Sequence, residues 1–385
     1  MRMTSTGRAA VWLASGLSGL VLAALPAGAQ APVNAAASAS QAASAKAPAW
    51  AATLPDATVV KAFIASQTRK NWTPPRTPWG DPDISGNFTT KDEANTPMER
   101  PAEWAGKRMQ DVTSAEFEAA VAQRQQRAVE TAPFAGGGEP DQGVAIAVPI
   151  HWFDNLAAKN SRPWFVVEPE DGKIPPMTEE ARTRPARVGP GSAGRRDLDP
   201  QTRLRGGKRD TYLDRYLGDR CIMWANGVPH TPTIYGNSLA IMQTATHVVV
   251  RFEMIHEARV IPIDGRAHLD TRIRGYMGDS RGYWDGNTLV VETTNLHPAA
   301  TYFGAPGSRL RLIERFTRIA PGRVEWSMTF DDPTTWTKRW TYSLPMTEDD
   351  KQIIYEYACH EGNYGMANLL SAARAEEKTG ATGDR

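Results

Sequence analysis

The chain has 385 residues and a nearly balanced charge, with 44 Lys and Arg residues against 43 Asp and Glu residues. The formal net charge is +1 at pH 7, so electrostatics gives no basis for binding nucleic acid or an anionic membrane surface. We therefore expect no nucleic-acid partner.

The first 29 residues have the layout of a secretory signal peptide. Arg2 and Arg8 form a basic start, Ala9 to Leu25 is apolar, and residues 27–29, Ala-Gly-Ala, form a small-x-small cleavage site. A membrane anchor is the alternative, but the apolar run is interrupted by serine and glycine and is short for a span of about 20 apolar residues. Cleavage would leave 42 basic and 43 acidic residues, a net charge of −1, and no integral membrane span. We expect a periplasmic or secreted protein.

The next two segments are predicted to be a tether and an arm. Residues 30–70 begin with an Ala/Ser-rich stretch, which predicts a flexible tether. Residues 71–101 are rich in proline and also contain Trp72, Trp79 and Phe88. Proline excludes a regular helix and a central strand, whereas tryptophan argues against disorder. We therefore expect residues 71–235 to be an arm with long loops that packs on the rest of the protein.

One helix and two short strands are predicted within this arm region. Thr113 and Glu116 have capping-box spacing before a run of good helix formers from Ala115 to Val129. Val144–Ile150 and Trp164–Val167 are candidate strands. Residues 169–207 are dense in Pro, Gly, Arg and Asp and predict a long surface excursion.

Residues 236–358 alternate between apolar and polar side chains in one short run after another. Val324, Trp326, Met328 and Phe330 alternate with polar residues, which places them on one face of a strand. The predicted strands are 239–244, 247–255, 258–263, 272–278, 288–294, 309–318, 323–331, 336–344 and 352–358. We expect a mainly β fold, an antiparallel meander that closes into a calycin- or lipocalin-like barrel, with a two-sheet sandwich as the alternative.

Residues 359–385 are predicted to form a C-terminal helix and a polar tail, with the helix from Met366 to Glu377. Cys221 and Cys359 flank the strand-rich region. An even pair of cysteines in an exported chain favours one disulfide bond, and two independent thiols are the alternative.

Five distinctive sequence blocks occur together in this chain. They are PRTPWGDPDISG at residues 75–86, EMIHEAR at 253–259, IDGRAH at 263–268, GDSRGYWDGNTLVVETT at 278–294 and YACHEGNY at 357–364. The chain resembles a group of secreted bacterial proteins that carry these blocks in this order. The resemblance spans about residues 71–377 and implies export and a shared fold. It assigns neither an activity nor a catalytic residue.

Two of these blocks bring candidate acid–base residues together. Glu253, His256 and Arg259 lie close together in sequence, where they could act as acid, base and anion clamp. A structural ion pair inside a barrel is the alternative. His360 is the best candidate for a general base, and either Glu361 or Glu253 would orient it.

His360 also has a structural alternative. Residues 359–364 can form the entry to the last helix, with Asn363 as its N-cap and His360 bonded to a backbone carbonyl. His268, near an Asp-Gly turn, is a further candidate.

Residues 278–282, Gly-Asp-Ser-Arg-Gly, match the Gly-x-Ser-x-Gly pattern of a nucleophile elbow. An elbow needs a strand before the serine and a helix after it, and here a second strand follows. We therefore expect a polar turn in which Asp279 and Ser280 cap backbone groups. Asp279 remains in the candidate acid–base set.

The sequence predicts no organic cofactor. It contains no Gly-x-x-x-x-Gly-Lys loop, and its Gly-x-Gly-x-x-Gly match at residues 189–194 lies in the Pro- and Gly-rich excursion and not between a strand and a helix, so nicotinamide, flavin and nucleoside triphosphate chemistry are not expected. His-Glu-x-x-His is absent as well. A mixed His/Glu site for a divalent metal, assembled in space, stays open.

Aromatic side chains in and after the strand region are candidates for ligand binding, because such rings can stack on a sugar or an aromatic ligand. The alternative is that they belong to the core. The candidates are Trp284, Trp326, Trp336, Trp340 and Tyr364.

These patterns favour an exported small-molecule enzyme, a hydrolase, lyase or isomerase that uses acid–base residues at a barrel mouth. The alternative is a lipocalin-like protein that binds a small apolar, aromatic or sugar ligand without catalysis.

Overall fold

A computed structural model describes residues 47–130, 153–184 and 211–379, except residues 216, 224–227, 234, 299 and 352–353. The predicted signal peptide, the Ala/Ser-rich start of the tether and the candidate strand Val144–Ile150 lie outside the described residues. In the described ranges, no helix combines the length and the apolar character that a membrane crossing needs.

The described chain is mainly β. Its strands are β1 (Gly86–Thr89), β2 (Val166–Glu168), β3 (Ser238–Gln243), β4 (His247–Phe252), β5 (Ala258–Pro262), β6 (Asp279–Asp285), β7 (Thr288–Thr294), β8 (Thr301–Tyr302), β9 (Ala305–Pro306), β10 (Arg311–Ala320), β11 (Arg323–Asp331) and β12 (Trp340–Glu348). The main sheet is antiparallel and has the order β5-β4-β3-β1-β12-β11-β10-β7-β6, with β2 also paired to β12. Strands β8 and β9 form a separate pair.

Four α-helices are described, and two of them confirm predictions. They are α1 (Thr58–Gln67), α2 (Ser114–Glu130), α3 (Glu179–Thr183) and α4 (Tyr364–Lys378). The capping box of α2 is formed, since the Glu116 carboxylate accepts from the Thr113 backbone at 3.0 Å and Thr113 Oγ1 accepts from the Glu116 backbone at 3.3 Å. Asn363 caps α4 by accepting a hydrogen bond from the backbone of Met366.

The proline-rich arm contributes a central strand, so the expectation that it only lies on the sheet is wrong. Strand β1 pairs with β3 on one side and with β12 on the other. Residues 83–96 contain no proline, so the backbone N–H groups of β1 are available for pairing. Phe88 on this strand is 1% exposed and belongs to the main core.

Part of the predicted tether is helix α1. Val60 and Ile64 lie one turn apart on this helix, and both pack against Ile319 of β10. Residues with this spacing form an apolar stripe, which explains why the segment orders against the sheet.

Two predicted strands are absent from the described structure. Residues 272–278 form turns, in which the Arg272 backbone donates to Asp270 Oδ1 at 2.9 Å, a local bond that competes with strand pairing. The strand of this region is β6, which begins at Asp279, so the polar turn expected around Ser280 is also wrong. Residues 354–358 are irregular, and the Tyr357 backbone donates to a histidine side chain instead of to a strand.

Strand β11 confirms the predicted alternation. Its apolar residues lie in the main core on one side of the sheet, which we call the apolar face: Val324, Trp326, Met328 and Phe330. The residues between them lie on the opposite side, the polar face, and are also buried: Glu325, Ser327 and Thr329. Polar side chains therefore alternate with apolar ones without reaching solvent.

The polar face is covered by other parts of the chain. The Arg162 guanidinium forms a bidentate pair with Glu325 at 2.7 and 2.9 Å, and both side chains are almost fully buried. Helix α1 lies beside this pair, where the Phe63 ring faces the Arg162 guanidinium at 5.2 Å.

Strands β5 and β6 are the two ends of the sheet order. Backbone pairing among the described residues does not join them, so a closed barrel is not found. Mainly antiparallel β structure with a C-terminal helix is established.

The predicted disulfide bond is confirmed. Cys221 and Cys359 are bonded, with their Cα atoms 5.8 Å apart. Asn363 lies beside the bond and donates to the backbone carbonyl of Asp219 at 2.8 Å. These contacts fix the start of the C-terminal segment to the loop before β3.

Candidate functional site

His268 lies between two carboxylates at the edge of the polar face. Its Nδ1 is 2.8 Å from Asp279 Oδ2, and its Nε2 is 3.0 Å from Glu292 Oε2. The carboxylates come from β6 and β7, which are paired, and His268 lies in the loop between β5 and β6. We call Asp279, His268 and Glu292 the His268 cluster.

Each carboxylate of the His268 cluster also has partners of its own. Asp279 accepts from the Leu269 backbone at 2.9 Å and pairs with Arg281 at 2.6 Å. Glu292 pairs with Arg311. Neither carboxylate would therefore be left as an uncompensated buried charge if His268 moved or changed its protonation state.

These contacts favour the protonated imidazole. Burial alone would lower the pKa of His268, but the hydrogen bonds to Glu292 and Asp279 outweigh it and raise the pKa above the ordinary 6.5. Burial would likewise raise the pKa of Glu292, but His268 and Arg311 hold that pKa below its usual value. The two carboxylates thus stabilise the protonated form of His268 through hydrogen bonds.

A short turn near the N-terminus of the described chain covers His268. The ring of Trp50, in the 3₁₀ turn Ala49–Thr53, meets the His268 ring at 5.8 Å and the Tyr283 ring at 5.4 Å, both edge to face. Arg311 donates to the carbonyl and the hydroxyl of Thr53 at 2.9 and 2.8 Å. As a result only 17% of the His268 side chain is exposed.

A second buried ion pair lies on the apolar face. Arg259 donates two hydrogen bonds to Glu314, at 3.0 and 2.7 Å. Trp326 Nε1 also donates to Glu314, at 3.1 Å, and Thr293 Oγ1 lies 3.5 Å from it. Ser280 bonds Thr293 at 2.9 Å, so this serine is part of a buried polar network and not of an exposed turn.

His230 is buried next to Trp326, the residue that donates to Glu314 of this ion pair. It is 1% exposed, stacks on Trp326 at 5.1 Å and on Phe252 at 5.8 Å, and its Nε2 lies 2.8 Å from Thr90 Oγ1. The sequence analysis did not single out this histidine, because its neighbours come from distant parts of the chain.

The remaining predicted acid–base residues do not join either cluster. His256 accepts a hydrogen bond from the Tyr357 backbone through Nε2 at 2.7 Å. His360 and Glu361 are exposed, and in the described ranges no hydrogen bond or ion pair links either of them to Glu253. Their catalytic roles stay predictions.

Glu253 is half-buried where β4 ends. Burial raises the pKa of Glu253, and the nearby carboxylate of Asp154 raises it further. Its backbone donates to the Ser238 carbonyl at 3.0 Å. The side chain is thus placed near another carboxylate, that of Asp154.

A cavity of about 380 Å³ lies beside the disulfide bond and is lined in part by Asp219, Glu356 and Tyr357. It is a shallow depression that is open to solvent. His360 and Glu361 are not part of its wall.

The aromatic candidates divide into three environments. Trp326, Trp336 and Trp340 are at most 1% exposed and pack in the core, so none of them presents a free face to a ligand. Trp284 is partly buried against the core, and Tyr364 is 75% exposed at the start of α4.

Two buried carboxylates were missed by the sequence analysis, although the sequence carries a signal for one of them. Glu314 occupies a position where alternation with Leu312 and Phe316 calls for an apolar side chain. A charge at such a position needs a buried partner. Glu292 lies on the polar face and has no comparable signal in the sequence.

Among the residues that the structure describes, no group of three or more His, Cys, Asp and Glu side chains is arranged to hold a metal ion. No protein-family model matches this chain, and no curated protein is significantly similar to it in sequence. Function is therefore argued from the geometry of the site.

Proposed function

We propose that this chain is an exported enzyme that uses acid–base chemistry for hydrolysis, elimination or isomerisation of a small organic molecule, without an organic cofactor. One observation carries the proposal: His268 lies within hydrogen-bond distance of both Asp279 and Glu292. An imidazole and carboxylates at this separation can exchange protons with a bound substrate.

The partners of each group suggest separate roles. Asp279 accepts from both His268 Nδ1 and the Leu269 backbone, so it orients the ring. Nε2 is the reactive nitrogen, and a substrate oxygen would replace Glu292 there. Glu292 remains held by Arg311, which lowers its pKa, so it stays ionised while His268 Nε2 gives its proton to the substrate and takes it back.

Access to Nε2 requires the turn Ala49–Thr53 to move, because Trp50 packs against the ring. A cover of this kind would also exclude water from the bound substrate, which strengthens the electrostatic interactions inside the site.

We also propose that the sheet curls into a calycin-like barrel. The approach of the two end strands supports this idea. A Cβ atom added at Gly282 of β6 would lie 3.1 Å from the side chain of Ile261 on β5 and 3.0 Å from that of Ile263. The absence of a side chain at Gly282 thus allows β6 to lie directly against the end of β5.

Export is supported by the signal-peptide layout of the first 29 residues and by the Cys221–Cys359 disulfide bond, which suits an oxidising compartment. The resemblance to secreted bacterial proteins also supports export. We propose a periplasmic or secreted location.

The test is a substrate screen followed by matched variants. The purified mature protein is incubated with panels of esters, lactones, hydroxy acids and sugars, and products are detected by NMR. For any substrate found, His268→Gln should lower kcat by about 10²- to 10⁴-fold. His247→Gln is the histidine control, because His247 lies at the start of β4 and is not part of the His268 cluster. This variant should leave kcat unchanged. Full turnover by His268→Gln would refute the proposal.

Parallel variants test the sequence-based candidates. If His360→Ala abolishes turnover while His268→Gln does not, the active site lies at the C-terminal block; if Glu253→Ala does so, it lies where β4 ends.

A binding protein without turnover is the second candidate. The observation that favours it is the engagement of both His268 nitrogens by carboxylates, which leaves neither nitrogen free in this state. Saturable binding of a small apolar, aromatic or sugar ligand, with no product formed from it, would support this alternative.

A further inference from the structure

Arg315 on β10 is a nearly buried arginine without an acidic partner. Its register places it on the polar face, opposite Val290 of β7 and Ser327 of β11, and it is 4% exposed. Its Nε is buried without a hydrogen-bond partner, and in the described part of the chain no carboxylate pairs with its guanidinium.

The other two deeply buried arginines described above also have an Nε without a hydrogen-bond partner, but their terminal N–H groups are paired. Arg162 pairs with Glu325, and Arg259 pairs with Glu314, each through two hydrogen bonds. Removing a guanidinium from water without a partner is unfavourable, so an unpaired one indicates a group that is normally supplied from outside the chain.

Arg315 lies in the wall of a pocket of about 230 Å³ between α1 and the polar face. The other lining residues are Lys61, Ile64, Ala65, Asp285 and Thr288. The pocket has apolar side chains on one wall and polar side chains on the other. It is partly open and below the usual volume of about 300–1,000 Å³, so it has room only for a small ligand.

The charges around the pocket leave one positive charge in excess. Lys61 is neutralised by Asp285, with Nζ and Oδ2 at 2.7 Å. Glu168 is the next carboxylate that acts on Arg315, and it lies 3.6 Å from Arg339, which offsets it. Asp285 also acts on Arg315, so two cations share one carboxylate, and Arg315 has no ion pair of its own among the described residues.

A second unsatisfied polar group lies next to Arg315. Ser327 faces it across the β10–β11 pair and is fully buried, and its Oγ has no hydrogen-bond partner in the described structure. Thr288, in contrast, already bonds Thr317 at 2.8 Å.

We propose that this pocket binds a small organic monocarboxylate. Arg315 holds the carboxylate through its terminal N–H groups, and the organic part lies against Ile64 and Ala65 of α1. A guanidinium matches a carboxylate in a bidentate geometry. A single excess charge fits a monoanion better than a dianion such as phosphate, and the apolar wall suits a hydrocarbon or aromatic tail.

This site lies next to the His268 cluster on the same face. Ile313, two residues before Arg315, is opposite Glu292 in the β7–β10 pairing. The carboxylate site does not depend on the acid–base proposal, because binding is expected whether or not the ligand is converted.

The test is isothermal titration calorimetry of the purified mature protein with butyrate and benzoate. Their uncharged amides, butyramide and benzamide, and inorganic phosphate are titrated in parallel. The carboxylates should bind saturably, the amides should not bind measurably, and phosphate should bind more weakly than benzoate. No saturable binding of either carboxylate, or equally tight binding of phosphate, would overturn the inference.

Variants identify the residue responsible. Arg315→Met should weaken benzoate binding by about 10- to 100-fold, the range for a lost hydrogen-bonded charge. Arg272→Met is the matched control, since Arg272 is an exposed arginine, and it should bind benzoate normally. Arg315→Lys, which keeps the charge but loses the planar fork, should bind with intermediate affinity.

The melting temperature without ligand separates a binding role from a structural one. A buried arginine whose partner is an external ligand destabilises the ligand-free protein. Arg315→Met should therefore melt at the same or a higher temperature than the wild type. A lower melting temperature for Arg315→Met and for Arg315→Lys, or unchanged benzoate binding by Arg315→Met, would show that Arg315 serves only the fold.

Discussion

Arg259 of β5 and Glu314 of β10 form a bidentate ion pair on the apolar face, although their strands are not paired with each other. Arg259 is 3% exposed and Glu314 is fully buried. The pair therefore connects two parts of the sheet through its interior, and its geometry is supported by a further hydrogen bond from Trp326.

Removing one member of this pair should destabilise the protein strongly. Glu314→Met or Arg259→Met should each cost about 3 to 5 kcal/mol, because the remaining group is buried without its partner. The double variant Arg259→Met/Glu314→Met should recover much of that loss. Urea unfolding of the four proteins measures the coupling. Single-variant losses below about 1 kcal/mol would contradict the burial of this pair.

The His268 cluster predicts a specific dependence of stability on pH. The folded-state pKa of His268 is raised, so its contribution is fully present below pH 6.5, its ordinary pKa, and is lost as the pH rises through the folded pKa. The free energy of unfolding should therefore fall on the alkaline side of pH 6.5 in the wild type. In His268→Gln this fall should be absent.

Urea unfolding between about pH 5.5 and 9 measures this difference. Glu292 does not interfere in this range, because its pKa is lowered and its contribution is lost only in acid. Parallel pH profiles for the wild type and His268→Gln would show that the carboxylates do not hold the proton on His268.

The turn Ala49–Thr53 should limit access to His268. Trp50→Ala removes the ring that packs against the imidazole, so diethyl pyrocarbonate should modify His268 severalfold faster in this variant. Peptide mass spectrometry follows the modification of His268 alone. Tyr364→Ala, which removes an exposed ring from α4, is the control and should not change the rate. Equal rates in all three proteins would mean that Trp50 does not protect the site.

The disulfide bond should contribute strongly to stability. Cys221 and Cys359 are separated by 138 positions, and closing a loop of this length constrains the unfolded chain by about 4 to 5 kcal/mol in the chain-entropy model. The variant Cys221→Ser/Cys359→Ser should unfold at a correspondingly lower urea concentration, and the wild type should match it when reductant is present. A difference near zero would indicate that the C-terminal segment is held by its other contacts.

The sequence predicted those elements whose signal is local. Strand β11 was predicted with its observed ends because its alternation is regular and its turn residues are clear. The caps of α2 and α4 were predicted for the same reason, since a cap depends on residues three positions apart. Strand β1 was missed because its pairing depends on partners far away in the chain, and the nearby prolines obscured it.

The residues of the candidate site also divide into those with a local sequence signal and those that depend on distant partners. Asp279, Arg259 and His268 were predicted as candidate residues, but Glu292 and Glu314 and the pairings themselves were not, because pairing across a sheet has no fixed spacing in sequence. His360 has strong local signals and is nevertheless exposed. The lack of a partner for Arg315 could not be predicted from the sequence, because the residues around it come from distant parts of the chain.

The position of β1 has a consequence for how this protein is made. Gly86–Thr89 leaves the ribosome early, yet it must wait for both flanking strands, of which β12 is synthesised close to the end. Until β12 is made, β1 has an open edge that can pair with other molecules, and without β1 the sheet has a gap between β3 and β12. A shortened gene that starts at residue 236 would encode a chain with this gap permanently unfilled, and we expect such a product to aggregate. An exported chain that stays unfolded until it is complete would avoid this hazard.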